Sequence, residues 1–402
     1  MEGNRDPQAV GPRVLDGVRV LDFTTTISGP YCTRLLADLG AEVIKVESPA
    51  GEFLRSLAPL RDGASTVFAQ LNCGKKSLAM NLKRPEAIEI IKELTQSYDV
   101  VVENFSPGVM DRLGLSYAAL SRHNPRLIMC SISGFGQTGP AAKRPAYAPA
   151  VQAESGWEMV YLQYHPELDR PLNMGPPIAD TTASLQALSA INGALFYRER
   201  TGKGQHLDIS MLDTLISTVP KEFQQVYWPS TPDRIYGSFK TKDGFVFAMA
   251  VTQLQFTSLA GYMGKPELLT DPRFAETPER LKNYKAYTAI IADWLCDLTT
   301  DEAIAALEAA KAPCARYRSM AEATQEPQLA HRQMIVEIED PSGPMLAMNS
   351  PFLFSETMSS VRPWSAWLGQ HNQEILKTAL GYTSDRIAQL EADGVVTGQL
   401  GE

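Results

Sequence analysis

Asp180 is the residue whose neighbours best suit it to do chemistry. It stands in Pro176-Pro177-Ile178-Ala179-Asp180-Thr181-Thr182, ahead of an apolar-periodic run that stops at Thr201-Gly202-Lys203-Gly204. A long helix ended by glycine is expected there. A carboxylate at a helix start meets unpaired backbone N–H groups and the positive end of the helix dipole, which keep it ionised and oriented. Such a group can be a nucleophile. It can equally be a plain N-cap, a role aspartate often fills, and this segment alone leaves both readings open.

A second constellation is cationic. Asn72-Cys73-Gly74-Lys75-Lys76 follows a polar loop, and Arg34, Lys45 and Arg112 fall on elements expected nearby. Lysine and arginine near helix starts suit phosphate, although a solvated surface cluster has the same composition. The first strand runs into Thr24-Thr25-Thr26-Ile27-Ser28-Gly29-Pro30, which is neither GxGxxG nor GxxxxGK[ST]. The standard dinucleotide fingerprint and the P-loop are therefore poorly supported. Five cysteines (Cys32, Cys73, Cys130, Cys296 and Cys314) show no CxxC pair and no zinc-like spacing with the five histidines. Reduced, mostly buried thiols and no metal site are expected.

The elements that must position these groups alternate. Residues 18–23 read as a buried strand, Tyr31 to Leu39 as a helix, and 42–47 as the next strand. Extended Leu78–Leu82, helical Pro85–Gln96 and strand Val100–Glu103 follow, then the Asn104–Gly108 turn. Helices at 110–113 and 116–122 lead to a strand at 127–132. This order implies an α/β fold with a parallel sheet and helices on both faces. From about Gln224 the texture changes, and Gly237–Ala248 has the strand–Asp-Gly–strand pattern of a hairpin. Residues 1–224 are expected to form a large lobe, 225–325 a small α+β lobe, and 326–402 a segment returning to the large lobe, with a charged helix from Asn372 to Asp393.

Composition narrows the partners. Hydrophobic residues make up 44% and charged residues 21% of 402, an ordinary globular balance. A net charge of −9 disfavours nucleic acid, which needs a basic face, but leaves room for a small anion in a local basic pocket. No apolar run approaches the roughly 20 residues that span a bilayer, and Met1–Asp6 is polar. No membrane association and a cytoplasmic location are expected.

The motifs also resemble a known family. Leu15–Phe23 with Gly29-Pro30 and Leu39–Glu47, Asn72–Leu78, Val102–Gly108, Ser131–Pro140, Thr201–Gln205, Asp271–Phe274 and Leu368–Asn372 are similar, in order, to segments of the class III CoA-transferases, the CaiB/BaiF family. The resemblance implies a Rossmann-like large lobe with a small lobe, in two subunits interlocked as a homodimer. It implies that Asp180 is the catalytic carboxylate and that acyl-CoA and a carboxylic acid are substrates, with no tightly bound cofactor. CoA would then pass through a mixed anhydride and an aspartyl-CoA thioester on Asp180. By the same resemblance Tyr147 assists at the acyl group; Lys75, Lys76 and Arg112 meet CoA phosphates; Asn104 and Phe105 lie near adenine or pantetheine. Gly136 is likewise implied as a CoA-binding position, and backbone N–H groups near Asp180 and the facing glycines would stabilise oxyanions.

The family also contains 2-methylacyl-CoA racemases, which pair the aspartate with a histidine a few residues after the Gly-Gln-Thr-Gly-Pro turn. Here Pro145-Ala146-Tyr147-Ala148 occupies that place, and no histidine lies between His123 and His165. The alternative readings are such a racemase or an isomerase that shifts CoA between two carboxyls of one molecule. Ser48 follows Glu47 where the transferases often carry an arginine, so one phosphate contact is absent or comes from Arg55. The stretch Ala248–Phe256 lacks the glycine run of the formyl-CoA:oxalate branch, which disfavours oxalate chemistry, and its Thr and Gln side chains suggest a small dicarboxylic acid of the succinate, mesaconate or itaconate kind.

Overall fold

The computed structural model describes residues 11–165, 168–229, 236–250 and 252–397. Met1–Asp6 and Val251, which entered the sequence reading, lie outside them. Contacts divide the chain into two units, 1–226 with 327–402, and 227–326.

The first unit is built on six parallel strands: β1 (Arg19–Asp22), β2 (Glu42–Glu47), β3 (Lys76–Ala79), β4 (Val100–Glu103), β5 (Ile128–Ser133) and β6 (Gln205–Ser210). Their spatial order is β3-β2-β1-β4-β5-β6, every neighbouring pair parallel. This is the order of doubly wound dinucleotide-binding sheets, which reverse direction between β1 and β4 and leave a crevice at the strand carboxyl ends there. The chain thus has the topology without the glycine fingerprint.

Strand alternation explains why both faces are covered. Val20, Val43, Val100, Val102, Cys130 and Ile132 point to one side, into a core with helices α1 (Ser28–Asp38) and α4 (Ile178–Thr201). Leu21, Ile44, Val46, Val101 and Met129 point to the other, against α2 (Pro85–Thr95) and the C-terminal helices α5 (Asn372–Leu380) and α6 (Ser384–Ala392). A parallel sheet buried on two faces reads as continuous apolar runs, as these strands do. In α2 the buried positions Ala87, Ile90, Ile91 and Leu94 follow the helical period.

Two elements differ from the sequence reading. Helix α1 begins at Ser28, not Tyr31, because Pro30 fits a first helical turn, where its missing N–H has no intrahelical partner to lose. The helix expected over 372–393 is two helices. Gly381 (φ +68°) ends α5 in the left-handed conformation, and the Thr383 side chain caps α6 by accepting from the Arg386 N–H. Beyond α6 the tail lies against β3, with the Thr397 N–H donating to the Ala79 carbonyl at 3.1 Å.

The second unit has a three-stranded antiparallel sheet, Tyr236–Lys240, Phe245–Met249 and Cys314–Arg316, with the middle strand in the centre. Helices Gln253–Tyr262, Tyr284–Leu295 and Thr300–Ala309 cover it through Phe256, Leu259, Tyr287, Ile291, Leu295 and Leu307. Among the described residues no helix is long and apolar enough to cross a membrane.

Candidate active site

The crevice at the β1/β4 reversal holds a cavity of about 270 Å³. Turns supply most of its wall: Thr25, Thr26 and Ser28 after β1, Asn104 to Ser106 after β4, Gly134 after β5. Asp180, Ala146, Tyr147 and Met211 complete it with the ends of β5.

The β1 turn is held in an unfavourable backbone state. Thr26 has φ +64°, the left-handed region that a β-branched residue rarely enters. Buried Glu52 takes the Thr26 N–H on Oε2 at 2.7 Å, while its Oε1 lies 2.9 Å from the ammonium of buried Lys45. Lys45 also donates to the Thr24 carbonyl at 2.8 Å. From the other side, Asn104 Oδ1 accepts from the Thr25 N–H at 2.8 Å and Asn104 Nδ2 donates to the Thr25 carbonyl at 2.8 Å. Backbone strain kept in place by such clamps is typical of functional turns. Gly29 is required at the next step, since a Cβ there would fall 2.2 Å from the Thr24 Cβ.

Asp180 lies in the first turn of α4, three residues after the N-cap position, which Pro177 occupies without a side-chain cap. Its carboxylate therefore does not act as the N-cap of α4. It faces the start of α1, where Ser28 lines the same cavity and acts to hold the carboxyl down. The two helix starts are tied by Ser184, whose hydroxyl lies 2.6 Å from the Ser28 carbonyl and 2.7 Å from the Asp180 carbonyl. Burial pushes the Asp180 carboxyl up from 3.8 to about 6, and the Ser28 hydrogen bonds pull the other way. Near neutral pH the group is ionised yet poorly solvated, a state suited to attack on a carbonyl carbon.

Of the other residues singled out from sequence, Tyr147 precedes α3 (Ala148–Glu154) and lines the same cavity with its side chain 75% exposed. Asn104 and Phe105 are at the cavity too, but the Asn104 amide is spent on Thr25 and Ser28. Gly136 is off the cavity, in the next turn, where the following Gln137 N–H donates to Asp208; Gly134 is the glycine in the wall.

The two lysines are corrections. Lys75 is 1% exposed and its ammonium donates to Asp22 (3.0 Å), the Pro30 carbonyl (2.9 Å) and Asn72 (2.7 Å). Burial pushes Lys75 down to about 8; at Asp22 burial pushes up, but Lys75, Lys45 and the Thr24 and Thr33 hydroxyls together hold it at about 2. A buried cation so fully paired is a structural element of the β1–α1 junction. Lys76 starts β3 and pairs with Glu374 at 2.9 Å, in a hollow shared with Arg19 and Glu42. Those are strand-start residues, at the opposite end of the sheet from the crevice. Arg34 and Lys45 are likewise consumed in buried pairs. Arg55 binds both oxygens of Glu47 and lies 3.9 Å above the Phe68 ring, so it does not replace the arginine absent at Ser48.

A second, mostly apolar cavity of about 370 Å³ adjoins the first and shares Thr25 and Phe105 with it. Phe23, Val46, Met80, Leu82 and Leu113 form much of its wall, and among the described residues lining it Lys83 is the one basic residue. Exposed Arg112 stands beside Gly108 on the short helix that also carries Val109 of this wall. Lys83, Ser28 and Glu52 were not singled out from sequence. The Ser-Gly-Pro run is a helix-start signal that could have marked Ser28, whereas nothing local marks Glu52 or Lys83.

In the second unit, Thr252 and Gln255 form a capping box, each side chain bonded to the other's backbone N–H (3.2 and 3.1 Å). These groups cap the helix that starts at Gln253, which removes the basis for reading them as substrate contacts.

The family model for CoA-transferase family III matches residues 15–372. Succinyl-CoA:glutarate CoA-transferase of Homo sapiens is 34% identical over 398 residues, covering 95% of this chain and 90% of that protein. Acetyl-CoA:oxalate CoA-transferase of Acetobacter aceti is 36% identical over 354 residues, 85% of this chain and 89% of that protein. A CaiB/BaiF family crystal structure from Brucella suis superposes with a TM-score of 0.79 at 31% identity, covering 91% of this chain and 99% of that one. The chain belongs to CoA-transferase family III and is an enzyme of the transferase class.

Proposed function

We propose that the enzyme moves CoA from an acyl-CoA thioester to a small dicarboxylic acid, with Asp180 as the covalent carrier. The observation that carries this reading is a largely desolvated carboxylate in a crevice where, among the described residues, no other carboxylate lines the wall. Asp180 attacks the thioester carbonyl, CoA thiolate leaves, and a mixed anhydride forms. The thiolate then attacks the aspartyl carbonyl and releases the donor acid, leaving an aspartyl-CoA thioester. The incoming acid repeats the sequence in reverse and departs as the new acyl-CoA. One thioester is exchanged for another, so the balance needs no further reactant.

The second cavity suits the pantetheine and adenine of CoA, with Phe105 between the two chambers. Arg112 keeps the phosphate role read for it from sequence, and Lys83 takes the one read at Lys75 and Lys76. The preference for a dicarboxylic acid rests on the two relatives, named for glutarate and oxalate. Among the described residues no basic side chain lines the Asp180 cavity, so a second carboxylate there would meet Thr25, Thr26, Ser106 and Ser133. We place the enzyme in an interlocked homodimer. Helix α4 exposes Leu185 (46%), Phe196 (60%) and Tyr197 (47%), a face that a second copy of the chain would cover.

The test is product analysis with succinyl-CoA as donor and glutarate or oxalate as acceptor. The new acyl-CoA should appear with wild type and fall at least about 10³-fold with Asp180→Asn. Transfer that survives Asp180→Asn would overturn the carrier role.

A further inference from the structure

We propose that the Ser28 side chain is a third working part of this site: its hydroxyl, aimed by Asn104, holds Asp180 for attack and then stabilises the oxyanion formed on the aspartyl carbonyl. The inference rests on the covalent reading of Asp180 and adds a residue to it.

The direction of every hydrogen bond follows from donor chemistry. The Thr25 N–H can only donate, and it points to an Asn104 side-chain atom at 2.8 Å, so that atom is the amide oxygen. The amide nitrogen then faces the Thr25 carbonyl at 2.8 Å and Ser28 Oγ at 3.2 Å. That nitrogen can only donate, so Ser28 Oγ accepts there and its own hydrogen is free to turn to the Asp180 carboxylate, which lines the same cavity. Ser28 is 5% exposed, which leaves little room for water to compete. Ser184 fixes the two residues side by side, its hydroxyl lying 2.6 Å from the Ser28 carbonyl and 2.7 Å from the Asp180 carbonyl.

Two carbonyl carbons are attacked in the reaction, one on the substrate acyl group and one on Asp180 itself. Ser28 is placed for the second. When the acceptor carboxylate attacks the aspartyl thioester, a C–O bond forms and the carbonyl electron pair moves onto oxygen. The resulting oxyanion forms in the cavity that Ser28 lines. Collapse of that adduct breaks the C–S bond and expels CoA thiolate. A donor aimed at charge as it develops is typically worth about 10²–10³ in rate.

Among the described residues lining the cavity, Tyr147 is the one other titratable group, so a pH profile there reports chiefly on Asp180. The experiment compares wild type, Ser28→Ala and Ser28→Thr, using succinyl-CoA as donor and glutarate as acceptor. Turnover is followed from pH 5 to 9, with mass spectrometry of the Asp180 peptide. In Ser28→Ala the acidic limb should move to higher pH, kcat should fall about 10²-fold, and the aspartyl-CoA thioester should accumulate. Ser28→Thr keeps the hydroxyl and should restore most of the rate, which separates its loss from a packing defect. A wild-type pH profile and rate in Ser28→Ala would overturn the role of Ser28. Absence of any Asp180 adduct in wild type would overturn the covalent reading itself.

Discussion

Replacing Asp180 by asparagine should make the protein more stable while abolishing turnover. Burial holds the folded carboxyl at about 6 against 3.8 for a free one. A carboxyl raised in this way binds its proton more tightly when folded, so the stability it contributes is complete below about pH 4. That contribution is lost as pH rises through 6. At pH 8 the charge costs at most ~3 kcal/mol by the separation of the two values, and partial access of water reduces this to about 1–3 kcal/mol. Asparagine has the same shape, removes the charge and still accepts from Ser28. Urea unfolding of both proteins at pH 8 and pH 4 measures the effect. Asp180→Asn should be more stable by the stated amount at pH 8, with the gap closing towards pH 4. A gap that is absent at pH 8, or equal at both, would refute the claim that Asp180 is a desolvated anion.

Other substitutions separate structural from functional charges. Lys75→Met leaves Asp22 buried without its main partner and should cost about 3–5 kcal/mol in urea unfolding. Lys83→Ala should raise KM for acyl-CoA about tenfold with kcat little changed, while Lys76→Ala leaves KM alone; the reverse order would restore the first assignment. Thr26→Gly relieves a left-handed β-branched residue and should stabilise by about 1 kcal/mol, seen as a shifted urea midpoint. Wild-type turnover should fall as pH drops through about 6, where Asp180 takes up its proton and ceases to be a nucleophile.

What the sequence made legible was local. The apolar runs of β1, β2, β4 and β5 mark a two-faced parallel sheet, and the glycine after Thr201 marks the end of α4, because both depend on near neighbours. The lysines were misplaced for a reason of register. Lys75 and Lys76 are adjacent, so one turns into the Asp22 pocket while the other starts a strand at the far end of the sheet from Asp180. Neither partner, Asp22 nor Glu374, is near them in sequence. The clamp on Thr26 was equally invisible, since Glu52 reaches it over 26 positions. Ser28 gains its place only when α1 starts there, three residues before the start at Tyr31 that the apolar pattern marks.

The most direct measurement is intact-peptide mass spectrometry after incubating the enzyme with succinyl-CoA alone, with borohydride added to trap activated carboxyls. Thioester or anhydride at Asp180 would be reduced to the alcohol, a homoserine, found only in the peptide that carries residue 180. That result is expected in wild type and should be absent in Asp180→Asn. Trapping at another carboxylate, or unmodified Asp180 while transfer proceeds, would contradict the covalent role assigned to this residue.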